Sequence, residues 1–169
     1  MPQAQKGQGT LSFKKPDRML WDYEAPERQQ FILDGNNLWV YLPGEKQVMK
    51  NNYAVIPSHV VLDLFRGTVD LNKEFVISFV SQKEPPKTQE VVLELVPKVY
   101  NPSIRRLTLM LDQKLCTISR STLEDDFGTV TVMHFSDFAI DAGLADKQFK
   151  FVPPAGVDVF ELPKPPVSK

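Results

Sequence analysis

The sequence predicts a mainly β protein, built as an antiparallel meander that is closed or half-closed into a barrel. Two observations support this prediction. Short segments with a period of two recur along the chain, and residues typical of hairpin turns separate them. One further segment has the spacing of an amphipathic helix. At 169 residues, the chain is expected to form a single domain over residues 1–162, followed by a disordered tail at 163–169.

The first strands carry unusually bulky side chains at alternating positions. The bulky residues of the predicted strands 18–24 and 38–42 are Met19, Trp21, Tyr23, Trp39 and Tyr41. Their strand neighbours include further aliphatic residues, so large apolar groups occupy both faces of the sheet. Such a sheet needs a cover on each face, unless one of the faces lines a cavity for an apolar ligand.

The remaining strands follow the same pattern of alternation between turns. Strands are predicted at 9–14, 18–24, 29–33, 38–42, 47–50, 75–80, 91–96, 107–111, 115–120 and 130–138, with a final short strand before residue 160. The acidic segment around Asp125 and Asp126 is predicted to be a turn between two strands, because aspartate and glycine favour turns.

One helix is predicted, at residues 57–66. Ser58 follows a proline and can cap its first turn, and Gly67 can end it. Leu62 and Phe65 lie on one face at helical spacing. A single short helix within a meander indicates either a lid over a cavity or a helix packed on an ordinary core.

Composition limits the possible functions. Apolar residues make up 42% of the chain, which is enough for a core, and the net charge of −1 gives no electrostatic reason to bind nucleic acid. The single cysteine, Cys116, excludes an internal disulfide and a cysteine-based zinc site. It is expected to be a small buried residue within the strand 115–120.

The sequence contains no recognisable catalytic constellation. His59 and His134 have no metal-type neighbours at short spacing, and neither a glycine-rich phosphate loop nor a Gly-x-Ser-x-Gly motif occurs. We therefore expect a protein that is not an enzyme and that uses no cofactor and no metal.

Five segments resemble the LolA-type family of periplasmic lipoprotein carriers. They lie in the family's order at residues 7–16, 21–26, 34–41, 124–131 and 149–159. The third segment matches the family signature DG-x-x-LW-x-Y, and the last resembles its closing F-x-F-x-PP-x-GV-x-V. The ordered set covers nearly the whole chain.

The resemblance implies an unclosed antiparallel half-barrel, with a short helical lid over an apolar cavity. Members of the family accept the acyl chains of lipoproteins released by an inner-membrane ABC transporter, and they deliver them to an outer-membrane acceptor. A periplasmic location and a monomer are therefore expected. A lipoprotein acceptor or a lipid-sensing module of the same fold is the alternative, and a lipid hydrolase or a structural β-domain that binds a protein partner is a more distant one.

Two features depart from the family pattern. The chain begins near the family's first strand, so a signal peptide and a first helix are expected to be missing from it. The arginine that usually precedes the proline of the first turn, and that helps to hold the lid closed, is replaced by Lys15. Lysine keeps the charge without the planar fork of donors. Arg18 is the nearby candidate for this lid control.

The expected lining of the acyl cavity combines residues from several strands with two from the helix. It comprises Met19, Trp21, Tyr23, Trp39, Tyr41, Leu62, Phe65, Phe75, Ile77, Phe79, Leu93 and Leu95. For each of these residues, ordinary packing in the core is the competing interpretation. The choice of sheet face depends on strand register, because a single bulge reverses it.

Overall fold

The chain divides into two compact units, each built on one β-sheet. The first unit comprises Met1–Arg66 together with Asp141–Lys169, and the second comprises Gly67–Ile140. The computed structural model describes residues 4–35, 37–51, 63–64, 66–67, 69–80 and 90–161. Within these residues, no ladder joins the two sheets into a closed barrel. The prediction of a mainly β, unclosed antiparallel fold is confirmed.

The first sheet has six strands in the order β1-β2-β3-β4-β5-β11. Their bounds are β1 (Gln8–Lys14), β2 (Arg18–Ala25), β3 (Gln29–Asp34), β4 (Leu38–Leu42), β5 (Gln47–Asn51) and β11 (Asp158–Glu161). Neighbours from β1 to β5 are antiparallel, whereas β11 lies parallel to β5. The first sheet therefore combines five strands from the start of the chain with one strand, β11, from near its end.

The turn between β3 and β4 is fixed by one carboxylate. Asp34 Oδ1 accepts a hydrogen bond from the backbone N–H of Asn37 at 2.9 Å, and its Oδ2 accepts one from Trp39 Nε1 at 2.9 Å. Gly35 has a φ of 103°, which glycine adopts without strain. The predicted hairpin turn is therefore present, and it also fixes the orientation of the Trp39 ring.

The second sheet has five antiparallel strands in the order β10-β9-β8-β7-β6. Their bounds are β6 (Phe75–Phe79), β7 (Glu90–Pro97), β8 (Arg106–Asp112), β9 (Thr117–Glu124) and β10 (Val130–His134). A one-turn helix, α1 (Leu71–Glu74), leads into β6, and the side chain of Asp70 caps it by accepting from Lys73 N. This helix was not predicted from the sequence, because one turn is too short to show a period.

Two strand boundaries and one burial prediction are corrected. The strand predicted at 115–120 begins at Thr117, because Cys116 has a φ of 52° and belongs to the preceding turn. Cys116 is exposed there rather than buried in the strand. The strand predicted at 130–138 ends at His134, and Asp137, with a φ of 56°, lies in the turn beyond it. Both residues adopt the left-handed conformation, which interrupts a strand.

The acidic segment between β9 and β10 forms the predicted turn. Asp125 Oδ1 accepts hydrogen bonds from the backbone N–H groups of Phe127, at 2.9 Å, and Thr129, at 2.8 Å. These bonds lower the pKa of Asp125, although its partial desolvation, the largest single effect, raises it. Its carboxylate therefore serves turn formation rather than acid–base chemistry.

Most of the helix predicted at 57–66 lies outside the described residues, including Leu62 and Phe65. Asp63, Leu64 and Arg66 are described and have helical conformation. Arg66 Nη1 lies 2.8 Å from Asp63 Oδ1, an i,i+3 ion pair of the kind that supports a helix. The tail predicted at 163–169 also lies outside the described residues.

Candidate functional site

Three aromatic rings gather on one face of the first sheet. Trp21 and Tyr23 project from β2, and Phe31 projects from β3 directly opposite Trp21. The Trp21 and Tyr23 rings stack with centroids 4.7 Å apart, and the Phe31 centroid lies 6.0 Å from each of them. We call these three residues the aromatic cluster. Their close rings form a largely apolar surface, whose polar groups are the indole N–H of Trp21 and the hydroxyl of Tyr23.

The aromatic cluster borders the buried core of this face. Met19, Leu33, Leu38 and Val40 form that core, and Met19 and Leu38 have no exposed surface. Partly buried residues that pack against it are Leu11, Phe13, Trp21, Phe31, Leu42 and Met49. A ligand can therefore reach the partly buried rings directly, whereas it reaches Met19 only if the packing around that side chain opens.

The phenol of Tyr23 lies in a nonpolar environment. Burial raises the pKa of Tyr23 to about 12, because the charged phenolate loses hydration there. The ring nevertheless keeps part of its surface exposed. A surface that disfavours charge and remains partly open is suited to hydrocarbon.

Trp39 and Tyr41 lie on the opposite face of the same sheet. The ring of Phe151 packs against both of them, with centroids 5.7 Å from Trp39 and 5.5 Å from Tyr41. Both residues remain partly exposed. The 3₁₀-helix Asp146–Phe149 precedes this contact, packs against β2 and β3, and buries Phe149 almost completely. The cover that the sequence required for one face is therefore supplied by the C-terminal part of the unit.

The strand register explains why the residues expected to line the cavity lie on different faces of the first sheet. Phe31 faces Trp21 on β2 and Val40 on β4, so Val40, and not Trp39, shares the face of the aromatic cluster. Trp39 faces Ile32 instead. Trp21 and Trp39, which were both expected to line the cavity, therefore lie on opposite faces of the first sheet.

The residues expected to control the lid have different surroundings. Arg18 Nη1 lies 2.9 Å from Asp146 Oδ2, and Lys14 Nζ lies 2.5 Å from Asp146 Oδ1. Lys14 Nζ also donates to the carbonyl oxygen of Leu144 at 2.9 Å. Lys15 is exposed and forms no ion pair with any described residue. Arg18 therefore acts with Lys14, its neighbour across the first hairpin, on the C-terminal segment.

Five expected lining residues share one face of the second sheet. Phe75, Ile77 and Phe79 on β6 lie on the same side as Leu93 and Leu95 on β7, because Ile77 pairs with Leu95 and Phe79 with Leu93. We call this side of the sheet the leucine face. Its burial changes along the strands: Phe75 is 5% exposed, whereas Phe79 is 79% exposed. One end of the face is therefore closed and the other is open.

Three further leucines, which were not predicted from the sequence as site residues, extend the leucine face. On β8, Leu107 pairs with Leu95 and Leu109 pairs with Leu93, and on β9 Leu123 pairs with Leu107. We call each such line of residues paired across neighbouring strands a row. All three are nearly or fully buried. The alternation of leucine with other residues in 107–111 would have been enough to predict Leu107 and Leu109. Phe31 in the first sheet was missed in the same way.

The other face of the second sheet carries a shallow mixed groove. Its volume is about 240 Å³, and it is lined by Val92, Thr108, Met110, Arg120 and Thr122. Beside it on this sheet, Arg106 pairs with Glu94 at 3.2 Å and with Glu124 at 3.0 Å. Polar and apolar groups alternate here, as on a solvated sheet surface.

No group of three or more histidine, cysteine, aspartate or glutamate side chains could hold a metal ion among the residues that the structure describes. No helix in the described ranges combines the length and hydropathy needed to cross a bilayer.

Comparison with known proteins gives one consistent result. The family described as outer membrane lipoprotein carrier protein LolA matches residues 1–152. A protein of Methylococcus capsulatus named outer-membrane lipoprotein carrier protein is 31% identical over 163 residues, covering 95% of this chain and 74% of its own length. Proteins with the same name from Methylobacillus flagellatus and Nitrosospira multiformis are 27% and 31% identical, and each match covers 92% of this chain and 73% of the relative.

Proposed function

This chain belongs to the LolA family of outer membrane lipoprotein carrier proteins, and we propose that it carries lipoproteins by sheltering their acyl chains. The aromatic cluster of the first sheet is the proposed contact surface in that unit. The open end of the leucine face is the proposed contact surface in the second. The observation that carries this assignment is the cluster of partly exposed, closely packed rings beside a buried apolar core on one face of the first sheet.

Hydrocarbon burial supplies the binding energy of such a carrier. Each methylene removed from water contributes about 0.8 kcal/mol, so a chain of ordinary length can be held without polar contacts. Because the attraction is spread over many weak contacts, it has little dependence on the exact position of the chain. A surface of rings and leucines therefore suits a cargo that must be bound firmly and later released.

The partners follow from this role. We propose that the chain receives its cargo from an inner-membrane ABC transporter and delivers it to an outer-membrane acceptor, acting in the periplasm as a monomer. Energy coupling then belongs to the transporter, and the carrier needs no chemical step of its own. The purified chain is accordingly expected to hydrolyse neither nucleotides nor esters, and turnover of either substrate would contradict the proposal.

Binding of a lipoprotein with and without its acyl chains tests the function. A detergent-solubilised lipoprotein is mixed with the chain, the detergent is removed, and complexes are isolated by size-exclusion chromatography. The acylated protein is expected to co-elute with the chain. The same lipoprotein with its acylated cysteine replaced by serine is expected to elute alone. Equal binding of both forms would show recognition of the polypeptide and would contradict the carrier role.

The two tryptophans provide a matched test of the proposed surface. Trp39→Phe leaves Trp21 as the only tryptophan, and Trp21→Phe leaves Trp39. A fatty acid that carries a spin label on its chain quenches a nearby indole. We expect saturable quenching in the Trp39→Phe variant and little in the Trp21→Phe variant, because Trp39 lies on the opposite face of the sheet, against Phe151. The opposite result would place the ligand on the covered face and exclude the aromatic cluster.

A further inference from the structure

A buried hydroxyl group interrupts the leucine face of the second sheet. Ser121 lies on β9, opposite Leu109 of β8 and Met133 of β10. It has no exposed surface, and it is the buried polar residue of an otherwise apolar core. Its Oγ has no hydrogen-bond partner anywhere in the described part of the chain. The sequence pattern of the face calls for an aliphatic residue at this position.

This arrangement is unfavourable for the protein without a ligand. A buried hydroxyl that loses water and gains no partner destabilises the folded state, whereas alanine would fill nearly the same space without that cost. The same strand satisfies another serine in the ordinary way, since Ser119 Oγ donates to the carbonyl oxygen of Met110 at 3.3 Å. The hydroxyl of Ser121 is therefore a buried donor that could serve a bound group.

Ser121 lies where the leucine face changes from closed to open. Toward the closed end, the next row contains Leu95, Leu107 and Leu123, all of which are buried. Its own row runs through Leu109 and partly buried Leu93 to Phe79, which is 79% exposed. A ligand that enters over Phe79 along this row would reach the hydroxyl by displacing the packing around Leu109 and Ser121, which are both buried.

We infer that Ser121 Oγ–H donates a hydrogen bond to the carbonyl oxygen of a bound acyl group. This inference rests on the proposed function and adds a polar specificity residue to it. Every acyl chain ends in an ester or amide carbonyl, which accepts a hydrogen bond, while its hydrocarbon part accepts none. A single donor in an apolar surface would fix the carbonyl end of the chain and leave the rest of it held by undirected contacts.

Paired ligands that differ only in the carbonyl test this inference. The probes are a diacylglyceryl peptide with ester-linked chains and its dialkyl analogue, in which ether linkages join chains of the same length. We expect the unaltered protein to bind the ester about fivefold more tightly, the factor that one neutral hydrogen bond supplies. Ser121→Ala should lose this preference and bind both probes equally. Thr122→Val, which removes the neighbouring hydroxyl from the opposite face of the strand, should retain it.

The remaining outcomes separate the inference from the proposed function. Failure of the unaltered protein to bind either probe would overturn both, whereas equal binding of the two would overturn the inference alone. Equal weakening of both probes by Ser121→Ala would assign the residue a packing role and would also overturn it. Without ligand, Ser121→Ala should melt at the same or a higher temperature, and a lower one would reveal an internal partner for the hydroxyl. Ser121→Cys repeats the ligand comparison if the alanine variant does not fold.

Discussion

Arg18 Nη1 lies 2.9 Å from Asp146 Oδ2, and this ion pair joins the first hairpin of the chain to the 3₁₀-helix near the end of the same unit. Lys14 holds the second oxygen of the same carboxylate. The two cations come from β1 and β2, which are paired at these two residues. The carboxylate of Asp146 therefore forms ion pairs with both strands of the hairpin. It positions the segment that packs against Trp39 and Tyr41.

Removing this carboxylate charge should weaken the attachment of the C-terminal segment. Asp146→Asn is expected to lower the melting temperature of the protein at neutral pH by a small amount, because all three groups are partly exposed to solvent. Asp158→Asn, an exposed residue in the same unit without an ion pair in the described structure, is the matched control. Equal melting temperatures for the two variants would show that the ion pairs contribute nothing.

The stabilisation by Asp146 should depend on pH. The hydrogen bond from Lys14, followed by the charge of Arg18, holds the pKa of Asp146 below its ordinary value of 3.8. The folded state therefore binds this proton less tightly than the unfolded state, so the contribution is fully present above about pH 4 and is lost as the pH falls through the folded pKa. Melting curves from pH 6 to pH 2 should show the Asp146→Asn variant approaching the unaltered protein. A constant difference would contradict this linkage.

Phe149 should be the strongest single apolar contribution of the covering segment. Its side chain is 1% exposed, so Phe149→Ala leaves a cavity and is expected to lower the free energy of unfolding by about 3–5 kcal/mol. Phe127 is 81% exposed, and Phe127→Ala should change that free energy by less than about 0.5 kcal/mol. Urea denaturation of the two variants measures both values. Similar losses would contradict the burial of Phe149.

The titration of Tyr23 should be visible at high pH. Burial raises its pKa to about 12, whereas the unfolded value is 10.0. The folded state keeps the proton more tightly, so this residue's contribution to stability is present below pH 10 and is lost as the pH rises toward 12. Tyr23→Phe should reduce the alkaline loss of stability, and ultraviolet difference titration should show one late-ionising phenol fewer. Ordinary titration near pH 10 by all tyrosines would contradict the desolvated environment.

The start of β1 should tolerate no side chain at Gly9. A Cβ at this position would overlap the carbonyl oxygen of Asp22, where the register of β1 and β2 shifts between Gln8 and Gly9. Gly9→Ala is expected to cost about 1–3 kcal/mol of unfolding free energy through forced backbone movement. Gly44→Ala, whose Cβ would meet no atom within 4 Å, is the control and should be close to neutral. An equally mild effect at both glycines would mean that the close approach is absent.

Alternation and turn residues were enough to predict nearly every strand. The reason is that both signals are local: Asp34 and Gly35 form their turn through contacts within four residues, and β4 begins directly after it. The final strand was also predicted, but its parallel pairing with β5 was not. That pairing joins segments more than 100 residues apart, and no local pattern encodes it.

The lining residues could be predicted only strand by strand. Within β2 the period of two correctly places Trp21 and Tyr23 together, and within β6 it places Phe75 with Ile77. It cannot relate Trp21 to Trp39, because their relative face depends on the register across two turns. A shift of one residue in either turn would have put both tryptophans on one surface.

By itself, the sequence determined the strand content, the hairpin order and the supply of large apolar side chains, because each depends on neighbouring residues and on the pleat of a strand. The tertiary structure decided which rings share a face and which rings pack against one another. It brought Phe151 over Trp39 and left Trp21 stacked on Tyr23 beside the core. It also placed the hydroxyl of Ser121 among leucines. Burial is set by strand register and by contacts between distant segments, which only the folded chain fixes.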